Sequence, residues 1–423
     1  MNYGKDCLEI DLPDDWDISL IEKKPMPVLT NSQSALQRAL ARPEVCPPLI
    51  DLARAAQKAC ILICDITRPV PNGLVLPLLL KEMLKAGLKP ANITILVATG
   101  LHRPNEGAEL LEVVGDQWVL DNFSVQNHFA TRDEDHSYIG DTSHGLAVKL
   151  DKRLLEADLR IAIGLVEPHF MAGYSGGRKL IMPGVSHSDT ITQLHNAHFM
   201  SHPKAANRVL EGNPLHEQQL EIVKLLGGAF AVNLVIDHNR CVSFINFGDI
   251  EQSHLKAVEY IRPYAEVSVP CKYKTVLTSC AGYPLDLTYY QTIKGMVAAN
   301  QILAPGGDLI IVSEISEGMG SKEFVDSLKM LQQLGIDGFS RHIATRKFAA
   351  IDAWQTQKLL EPLKKGNVFL YTKGLTKEEY TLTGVNVTDD LQQTILRSAG
   401  QHKKVAVIPE GPYVFPFHTP GHT

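Results

Sequence analysis

The sequence lacks the features that mark secreted, membrane-spanning and nucleic-acid-binding proteins. Its first residues, MNYGKDCLEIDLPDDWD, contain no basic segment followed by an apolar one, so they do not predict a signal peptide. No uninterrupted apolar run approaches the roughly 20 residues that cross a bilayer. Lysine and arginine are scattered, and the formal net charge of -6 argues against a nucleic-acid partner. We therefore expect a cytoplasmic protein that binds neither membrane nor nucleic acid.

Cysteine is sparse and irregular. The seven cysteines are an odd number without regular spacing, so they predict neither a disulfide framework nor a zinc motif. Cys60 and Cys64 lie in the apolar run ACILICDIT, and we expect both to be reduced thiols in the core. A G-x-G-x-x-G fingerprint is also missing after the early strand-like runs, so the usual signal for a dinucleotide cofactor is absent.

The chain does contain a repeated alternation of strand-like and helical segments. KACILICDI, NITILVATG, LRIAIGLVE and FAVNLVID are typical of strands buried on both faces, and LVLPLLLKEMLKAG between the first two has helical spacing. The alternation restarts after residue 270 with KTVLTSCAG, GDLIIVSEI and NVFLYTKG. For 423 residues this pattern predicts the α/β class, with two α/β domains, 1–268 and 285–400, on either side of a cleft.

Polar residues follow two of the predicted strands directly. CDITRPVPNG offers Asp65 and Arg68, which can clamp a substrate carboxylate or, alternatively, fix their own loop. VATGLHRP places His102 at the end of the next strand. Because ligands of open α/β sheets bind at the carboxyl ends of the strands, these three residues are candidates for one site.

The segment VEPHFMAGYSGGRKLIMPG is the richest in chemical groups. Its glycines and cations are typical of a loop that holds a phosphate, although a tight turn with solvated basic residues is the alternative. It also matches G-x-S-x-G, but a serine-nucleophile elbow needs a strand directly before the motif and a helix directly after it. The candidate residues here are Glu167, His169, Ser175, Gly176, Gly177, Arg178 and Lys179.

Histidines dominate the next segment. His195, His198 and His202 are spaced by three and four, which predicts one helical face, and together with His187 they allow a zinc site. The H-E-x-x-H pattern is absent, and a single histidine that completes a metal held by another group fits equally well.

The second domain offers a further set in PLDLTYYQTIKG and DAWQTQKL. Gln291 and Lys294 share a helical face and can reach a substrate carboxylate across the cleft. Tyr290 lies beside them, and Trp354 is expected to lie in the core or against a cofactor.

In order and spacing, DITRP, TGLHRP, EPHF-x-AGYSGGRK, LH-x2-H and PLDL-x2-YQ-x2-KG resemble the lactate racemase family. The resemblance runs from about residue 60 to KVAVIPEGPYV, and so covers most of the chain. It implies a racemase or epimerase that inverts C2 of a 2-hydroxy acid by hydride transfer to and from a nickel-pincer nucleotide. It also implies that residues 404–423 return to the first domain.

The resemblance implies roles for individual residues. Lys179 would carry the nickel-containing pyridinium-3,5-bisthiocarboxylic-type mononucleotide through a thioamide bond, and His195 would be the protein ligand of nickel. His102 and His169 would be the acid and base on opposite faces of the substrate. The remaining residues would orient the substrate and the cofactor: Asp65, Arg68, Tyr290, Gln291, Lys294, Trp354 and the loop Ser175–Arg178. Separate cofactor-synthesis enzymes would have to supply the nucleotide.

The substrate and two competing functions stay open. Met171 stands where lactate-specific members have an aromatic residue, so lactate, malate and sugar acids such as gluconate all remain candidates. A zinc-dependent hydrolase or lyase would use the His187–His202 cluster instead. A two-domain sensor or nucleotide-binding protein would use GYSGGRK only to hold phosphate, without turnover.

Overall fold

The computed structural model describes residues 1–418. The strands up to residue 269 are β1 (Asn2–Tyr3), β2 (Asp6–Cys7), β3 (Asp17–Leu20), β4 (Ala59–Cys64), β5 (Ile93–Ala98), β6 (Ser124–Asn127), β7 (His136–Asp141), β8 (Ala147–Asp151), β9 (Leu159–Leu165), β10 (Pro168–His169), β11 (Gly173–Tyr174), β12 (Phe230–Ile236), β13 (Val242–Asp249) and β14 (Glu266–Val269). The helices are α1 (Ser32–Ala41), α2 (Leu49–Ala55), α3 (Asn72–Lys85), α4 (Gly107–Val114), α5 (Gln117–Asn122), α6 (Lys152–Leu155), α7 (Arg178–Ile181), α8 (Ser188–Leu194), α9 (Ala197–Met200), α10 (Pro214–Leu225) and α11 (Gln252–Ala265).

The same alternation continues in the second part of the chain. Its strands are β15 (Tyr273–Ser279), β16 (Leu303–Val312), β17 (Asn367–Tyr371), β18 (Asn386–Thr388), β19 (Lys404–Ile408) and β20 (Phe415–His418). Its helices are α12 (Tyr289–Asn300), α13 (Lys322–Ala344), α14 (Ala353–Lys365), α15 (Lys377–Tyr380) and α16 (Leu391–Ala399). Short 3-10 turns lie at Pro90–Asn92, Asp133–Asp135 and Gly411–Tyr413.

The first sheet has the order β13-β12-β9-β4-β5-β6, in which only β13 runs antiparallel. The chain builds outward from β4 to β5 and β6, and then returns to place β9 on the other side of β4. This reversal lies between β4 and β9, and ligands of open α/β sheets bind at such a position. The apolar runs predicted as strands form β4, β5, β9 and β12.

The second sheet is parallel throughout, in the order β18-β17-β16-β15-β19-β3. Helices lie between its successive strands, and α13 is interrupted at Gly335, which has φ 65° and ψ 173°. The prediction of two α/β domains is confirmed. Within residues 1–418, no helix is both long enough and apolar enough to cross a bilayer, and all seven cysteines are free thiols, as predicted for Cys60 and Cys64.

The predicted domain limits need correction at both ends of the chain. The sequence assigns β3 to the first domain, but β3 pairs with β19 in the second sheet. The expected return of residues 404–423 is also only partly right, because β19 lies between β15 and β3. The apolar run KVAVI is buried and needs a neighbouring strand on each side. Only β20 returns to the first domain, where it pairs with β14; residues 419–423 lie outside the described part.

Candidate active site

A cavity opens at the reversal point of the first sheet, between the two domains. The carboxyl ends of β4, β5 and β9 form one wall, and α12 and α14 of the second domain form the other. It brings together most of the predicted site residues. Those that line it are Asp65, Arg68, His102, His169, Ser175, Gly176, Lys179, His195, Tyr290, Lys294 and Trp354.

Asp65 and His102 form a hydrogen-bonded pair at the ends of β4 and β5. The Asp65 Oδ2 to His102 Nδ1 distance is 2.5 Å, and the Thr67 hydroxyl donates to Asp65 Oδ1 at 2.6 Å. Burial alone would raise the pKa of Asp65, but His102, Thr67 and Arg68 outweigh it and hold that pKa below the ordinary value. The charged carboxylate keeps the histidine proton on Nδ1. His102 Nε2 is then free to accept a proton, and the side chain is 44% exposed.

Arg68 is held in place by the other acidic residue of this wall. Its Nε lies 3.1 Å from Glu167 Oε1, and its Nη1 donates to the Thr67 carbonyl at 2.8 Å. Glu167 follows β9, so this ion pair joins the loops after β4 and β9. The guanidinium is thereby fixed in the cavity wall, where its remaining donors suit a carboxylate.

His169 lies on the small antiparallel pair formed by β10 and β11. Its Nδ1 accepts from the backbone N–H of Ala172 at 3.2 Å and lies 3.4 Å from the N–H of Met171. These contacts place the ring proton on Nε2. Burial lowers the pKa of His169 well below its ordinary value, and nearby cations, with Lys179 the strongest, lower it further. The resting imidazole is therefore neutral.

The loop after β11 presents Ser175, Gly176 and Lys179 to the cavity. Gly176 has φ +141°, and a Cβ there would lie 2.4 Å from His254 Cδ2, so only glycine fits. The Ser175 hydroxyl is buried and, among the described residues, has no hydrogen-bond partner. Burial lowers the pKa of Lys179 well below its ordinary value, and the nearby cations Arg178, Arg68 and Lys294 add to this. These effects disfavour the charged ammonium and so favour the nucleophilic free amine.

Arg178 and Gly177 do not reach the cavity, which corrects their predicted contact with a cofactor. Arg178 is 0% exposed and donates to the carbonyls of Ala172 and Tyr174 at 3.2 and 2.8 Å. Its guanidinium thus braces the loop from behind, because the buried carbonyls need donors. Gly177 lies against the sheet, where an added Cβ would be 2.8 Å from the Ala231 methyl.

His195 follows the last residue of α8, and its ring lies against Trp354 in the cavity wall. The two rings are 4.8 Å apart, and His195 Nδ1 donates to the Ile191 carbonyl at 2.8 Å. Burial lowers the pKa of His195 to about 4, so the ring is neutral at pH 7. With Nδ1 protonated, the lone pair lies on Nε2. A neutral imidazole whose other nitrogen is fixed in this way is typical of a metal ligand.

The other predicted histidines of this segment do not lie beside His195. Asn196 Oδ1 accepts from the N–H of Phe199 at 3.2 Å and starts a new helix, α9, so the predicted single helical face is wrong. His198 and His202 are exposed, and His187 lies at the opposite end of α8. In the described part of the chain, these four side chains form no common zinc site.

The second domain contributes α12 and the start of α14. Lys294 donates to Gln291 Oε1 at 2.5 Å, so Gln291 contacts the cavity through Lys294 and does not line it directly. Burial lowers the pKa of Lys294 to about 7, and Arg68 contributes in the same direction. Trp354 Nε1 donates to the Tyr290 hydroxyl at 3.0 Å, which fixes both rings in the wall.

Asp352 is a cavity residue that no sequence motif identifies. It precedes α14 with φ 62°, and its Oδ2 accepts from the Ser321 hydroxyl at 2.5 Å. Burial raises its pKa. In the sequence, an aspartate before a helix indicates only an ordinary cap. The position of Asp352 opposite His102 depends on how the two domains pack together.

Two comparisons with known proteins cover both domains. Residues 3–208 match the family described as Lactate racemase N-terminal domain, and residues 269–415 match Lactate racemase C-terminal domain. Among curated proteins, the chain is 33% identical over 415 residues to the lactate racemase of Thermoanaerobacterium thermosaccharolyticum, which covers 97% of this chain and 96% of that one. It is 30% identical over 386 residues to the lactate racemase of Lactiplantibacillus plantarum, over 90% of each chain.

Solved structures agree with this relationship. The lactate racemase apoprotein from Thermoanaerobacterium thermosaccharolyticum, at 33% identity, matches with a TM-score of 0.91 over 98% of each chain. A Thermotoga maritima protein that is 16% identical shares the fold, with a TM-score of 0.72 over 94% of this chain and 100% of that one. The chain therefore belongs to the lactate racemase family and is an isomerase.

Proposed function

We propose that the protein inverts the C2 stereocentre of a short, lactate-type 2-hydroxy acid. The observation that carries the proposal is the presence of two histidines, His102 and His169, in one cavity with two basic side chains that can hold an anion, Arg68 and Lys294. Inversion needs a proton acceptor for the hydroxyl group and a proton donor for the opposite face. An anionic substrate needs cations to hold it. The named relatives, which are lactate racemases, support the same reaction.

His102 is suited to begin the reaction as the base. Asp65 Oδ2 lies 2.5 Å from His102 Nδ1 and holds the proton there, so Nε2 presents a lone pair to the substrate hydroxyl. When Nε2 accepts that proton, the imidazolium is stabilised by the adjacent carboxylate. This pairing of a buried carboxylate with a catalytic histidine sets both the tautomer and the orientation of the ring.

His169 is suited to act as the acid. Its resting pKa is low because the ring is buried among cations, and an anionic substrate would offset those charges and raise that pKa. Nδ1 accepts only long contacts from two backbone N–H groups, at 3.2 and 3.4 Å, and the ring must turn away from both when Nδ1 takes a proton. His169 then donates from Nε2 to the substrate oxygen. In the reverse direction the two histidines exchange roles.

Arg68 and Lys294 are suited to hold the substrate carboxylate. Arg68 is fixed by Glu167 and offers parallel donors, whereas Lys294 approaches from the second domain. Two anchors on opposite walls keep the carboxylate fixed while the configuration at C2 inverts. Met171 and Phe170, both largely buried, lie in the same wall and would border a small apolar substrate tail.

The residues present fit a nickel-containing pyridinium mononucleotide. Lys179, whose free amine is favoured by burial, would form the thioamide bond, and His195 Nε2 has a free lone pair for nickel. The unpartnered Ser175 hydroxyl suits a phosphate or ribose oxygen, and Trp354 would pack beside the ring. When bound, this group would supply the hydride acceptor and donor that inversion at C2 requires. Its synthesis would fall to separate enzymes.

The test of attachment is intact mass under denaturing conditions, with metal analysis, on protein co-expressed with the cofactor-synthesis enzymes. We expect a mass increase of nucleotide size and one nickel per chain. Lys179→Ala should remove the covalent increase, and His195→Ala should lower nickel while leaving the covalent increase in place. An unmodified chain, or an increase that survives Lys179→Ala, would contradict the proposed linkage.

The test of reaction uses the loaded enzyme with single enantiomers of lactate, malate and gluconate. We expect loss of optical activity with lactate first, and no inversion by His102→Ala or His169→Ala. Nickel and nucleotide content of these two variants should match the parent, because neither side chain is proposed to hold the cofactor. Normal turnover by either variant would remove that histidine from the reaction, and inversion of malate or gluconate alone would overturn the lactate-type substrate.

A further inference from the structure

A second group of histidines lies outside the cavity, beside the β7–β8 pair. One nitrogen of His128, one of His136 and one carboxylate oxygen of Asp151 lie within 4.8 Å of one another. All three side chains are buried, at 1%, 6% and 0% exposure. His136 and Asp151 face each other across β7 and β8, so their side chains point to the same side.

Each histidine of this cluster has one nitrogen fixed by a backbone carbonyl. His128 Nε2 donates to the Ser186 carbonyl at 3.1 Å, and His136 Nδ1 donates to the Arg132 carbonyl at 2.7 Å. His136 Nε2 is left with a lone pair when its ring is neutral. His128 Nδ1 faces Asp151 Oδ2 at 3.2 Å and donates to it when protonated, so a metal ion would take the place of that proton. Such a fixed tautomer is the usual second-shell arrangement of metal-ligating histidines, and His195 shows the same pattern.

His136 Nε2 is the most informative atom of the cluster. It is buried and has no hydrogen-bond partner among the described residues. A buried polar atom without a partner is costly, and an unseen ion is one of the few explanations for it. Burial lowers the pKa of His136, which keeps this lone pair available.

The spacing suits a tetrahedral ion after a small adjustment. Ligands 2.0–2.1 Å from zinc lie roughly 3.3 Å apart, and His128 Nδ1 is 3.2 Å from Asp151 Oδ2. His136 would need to approach by at most about 1.5 Å. Arg153 donates to both carboxylate oxygens of Asp151 and would remain as a support of the ligand.

We propose that His128, His136 and Asp151 form a second metal site, which takes Zn²⁺ or a similar divalent ion with water as the fourth ligand. Imidazole and carboxylate ligands favour such borderline ions. The acidic turn Asp133–Asp135 directly precedes His136, and the exposed Asp133 lies 3.1 Å from His187 Nε2 beside the cluster. This acidic entrance would attract a cation.

The site would brace the element that carries the candidate nickel ligand. His128 binds the carbonyl of Ser186, His187 immediately precedes α8, and His195 immediately follows it. The backbone of His187 also donates to the carbonyl of Lys149, two residues before Asp151 on β8, at 3.0 Å. A metal ion here would lock the β7–β8 pair to the start of α8, and so act as a structural site. This proposal does not depend on the reaction proposed above.

The experiment is a Zn²⁺ titration of the full chain, produced without the cofactor-synthesis enzymes and stripped with a chelator. Calorimetry and metal analysis should give one tightly bound equivalent, and Zn²⁺ should raise the melting temperature. His136→Ala should weaken that binding at least about 100-fold and abolish the thermal shift. His195→Ala, which changes the other candidate ligand, should retain both.

The outcomes separate the two sites. Binding that survives His136→Ala, or that disappears only in His195→Ala, would overturn the proposal, as would a parent chain that binds no Zn²⁺. If His136→Ala does not fold, His136→Phe keeps the ring volume between His128 and His187 and tests the same nitrogen. Racemisation and covalent mass are measured in separate experiments. The Zn²⁺ titration can therefore be interpreted even if the proposed reaction is contradicted.

Discussion

Lys294 couples substrate binding to pH. Burial lowers its pKa to about 7, so above pH 7 the free protein holds a neutral amine that cannot pair with a carboxylate. Binding must then take up a proton, and the affinity of the cofactor-free chain for lactate should fall up to about tenfold per pH unit above 7. Calorimetry between pH 6 and 9 measures this dependence. Lys294→Arg keeps its charge throughout, so it should bind with little pH dependence; an equally steep dependence in that variant would assign the proton to another group.

Asp65 gives a sharper test of the proposed base. Asp65→Asn keeps the size of the side chain but removes the charge that fixes the proton on His102 Nδ1, which lies 2.5 Å from Asp65 Oδ2. We expect kcat of the loaded enzyme to fall by about 10²–10⁴, with KM changed little because Asp65 does not hold the substrate. Steady-state kinetics with matched nickel content measures both. A kcat within twofold of the parent would show that the pair is structural.

The position of a residue in the cavity follows most directly from the sequence where the side chain comes soon after a strand. Asp65, Arg68 and His102 directly follow β4 and β5, so the edge of the sheet brings them together. Arg178 looked equally suitable in the sequence, yet it is buried and holds two loop carbonyls. The difference arises from the direction of α7, whose adjacent residues Arg178 and Lys179 point about 100° apart.

At the scale of elements, α7 is positioned by its contact with the first sheet. Gly177 has ordinary helical φ, so alanine would meet no backbone strain. Its Cβ would meet the methyl groups of Ala231 at 2.8 Å and Ala162 at 3.3 Å, and Ile250 Cγ1 at 3.3 Å. Gly177→Ala should therefore cost about 1–3 kcal/mol of unfolding free energy through overpacking. Because α7 carries Lys179, covalent loading should fall as well.

A double-mutant cycle identifies the cause of that loss. Ala231→Gly removes the methyl group that Gly177→Ala would meet, so it should be less costly in the Gly177→Ala background than in the parent. Denaturant unfolding of the four proteins measures the coupling. Additive effects would mean that the added methyl is accommodated elsewhere.

The prediction of one helical face for His195, His198 and His202 was wrong because a helix boundary lies among them. Spacing of three and four suits one long helix, but the side chain of Asn196 caps a new helix after His195. Asparagine is tolerated inside a helix, although it favours a cap, and the sequence pattern does not decide between the two. The proposed metal site of His128, His136 and Asp151 has no motif in the sequence, because its residues come from a loop and two strands without regular spacing.

At the scale of the whole molecule, the two ends of the chain exchange domains. Residues 17–20 precede the first domain but form the edge of the second sheet, where Ile21 N donates to the Val407 carbonyl at 2.8 Å. β20 follows the second domain but pairs with β14 of the first. The alternation of strands and helices predicts each domain, but the pairing of edge strands depends on long-range contacts that the pattern does not contain.

This exchange should make the two domains unfold together. Phe415 on β20 is 1% exposed and meets Tyr174 of the first domain edge-on, with ring centroids 5.9 Å apart. Phe415→Ala should cost about 3–5 kcal/mol and lower the melting temperature of one shared calorimetric transition. Leu396→Ala, at a leucine that is 43% exposed on α16, is the matched control and should leave that transition nearly unchanged. Two resolved transitions, of which Phe415→Ala shifts only one, would mean that the crossing strands do not couple the domains.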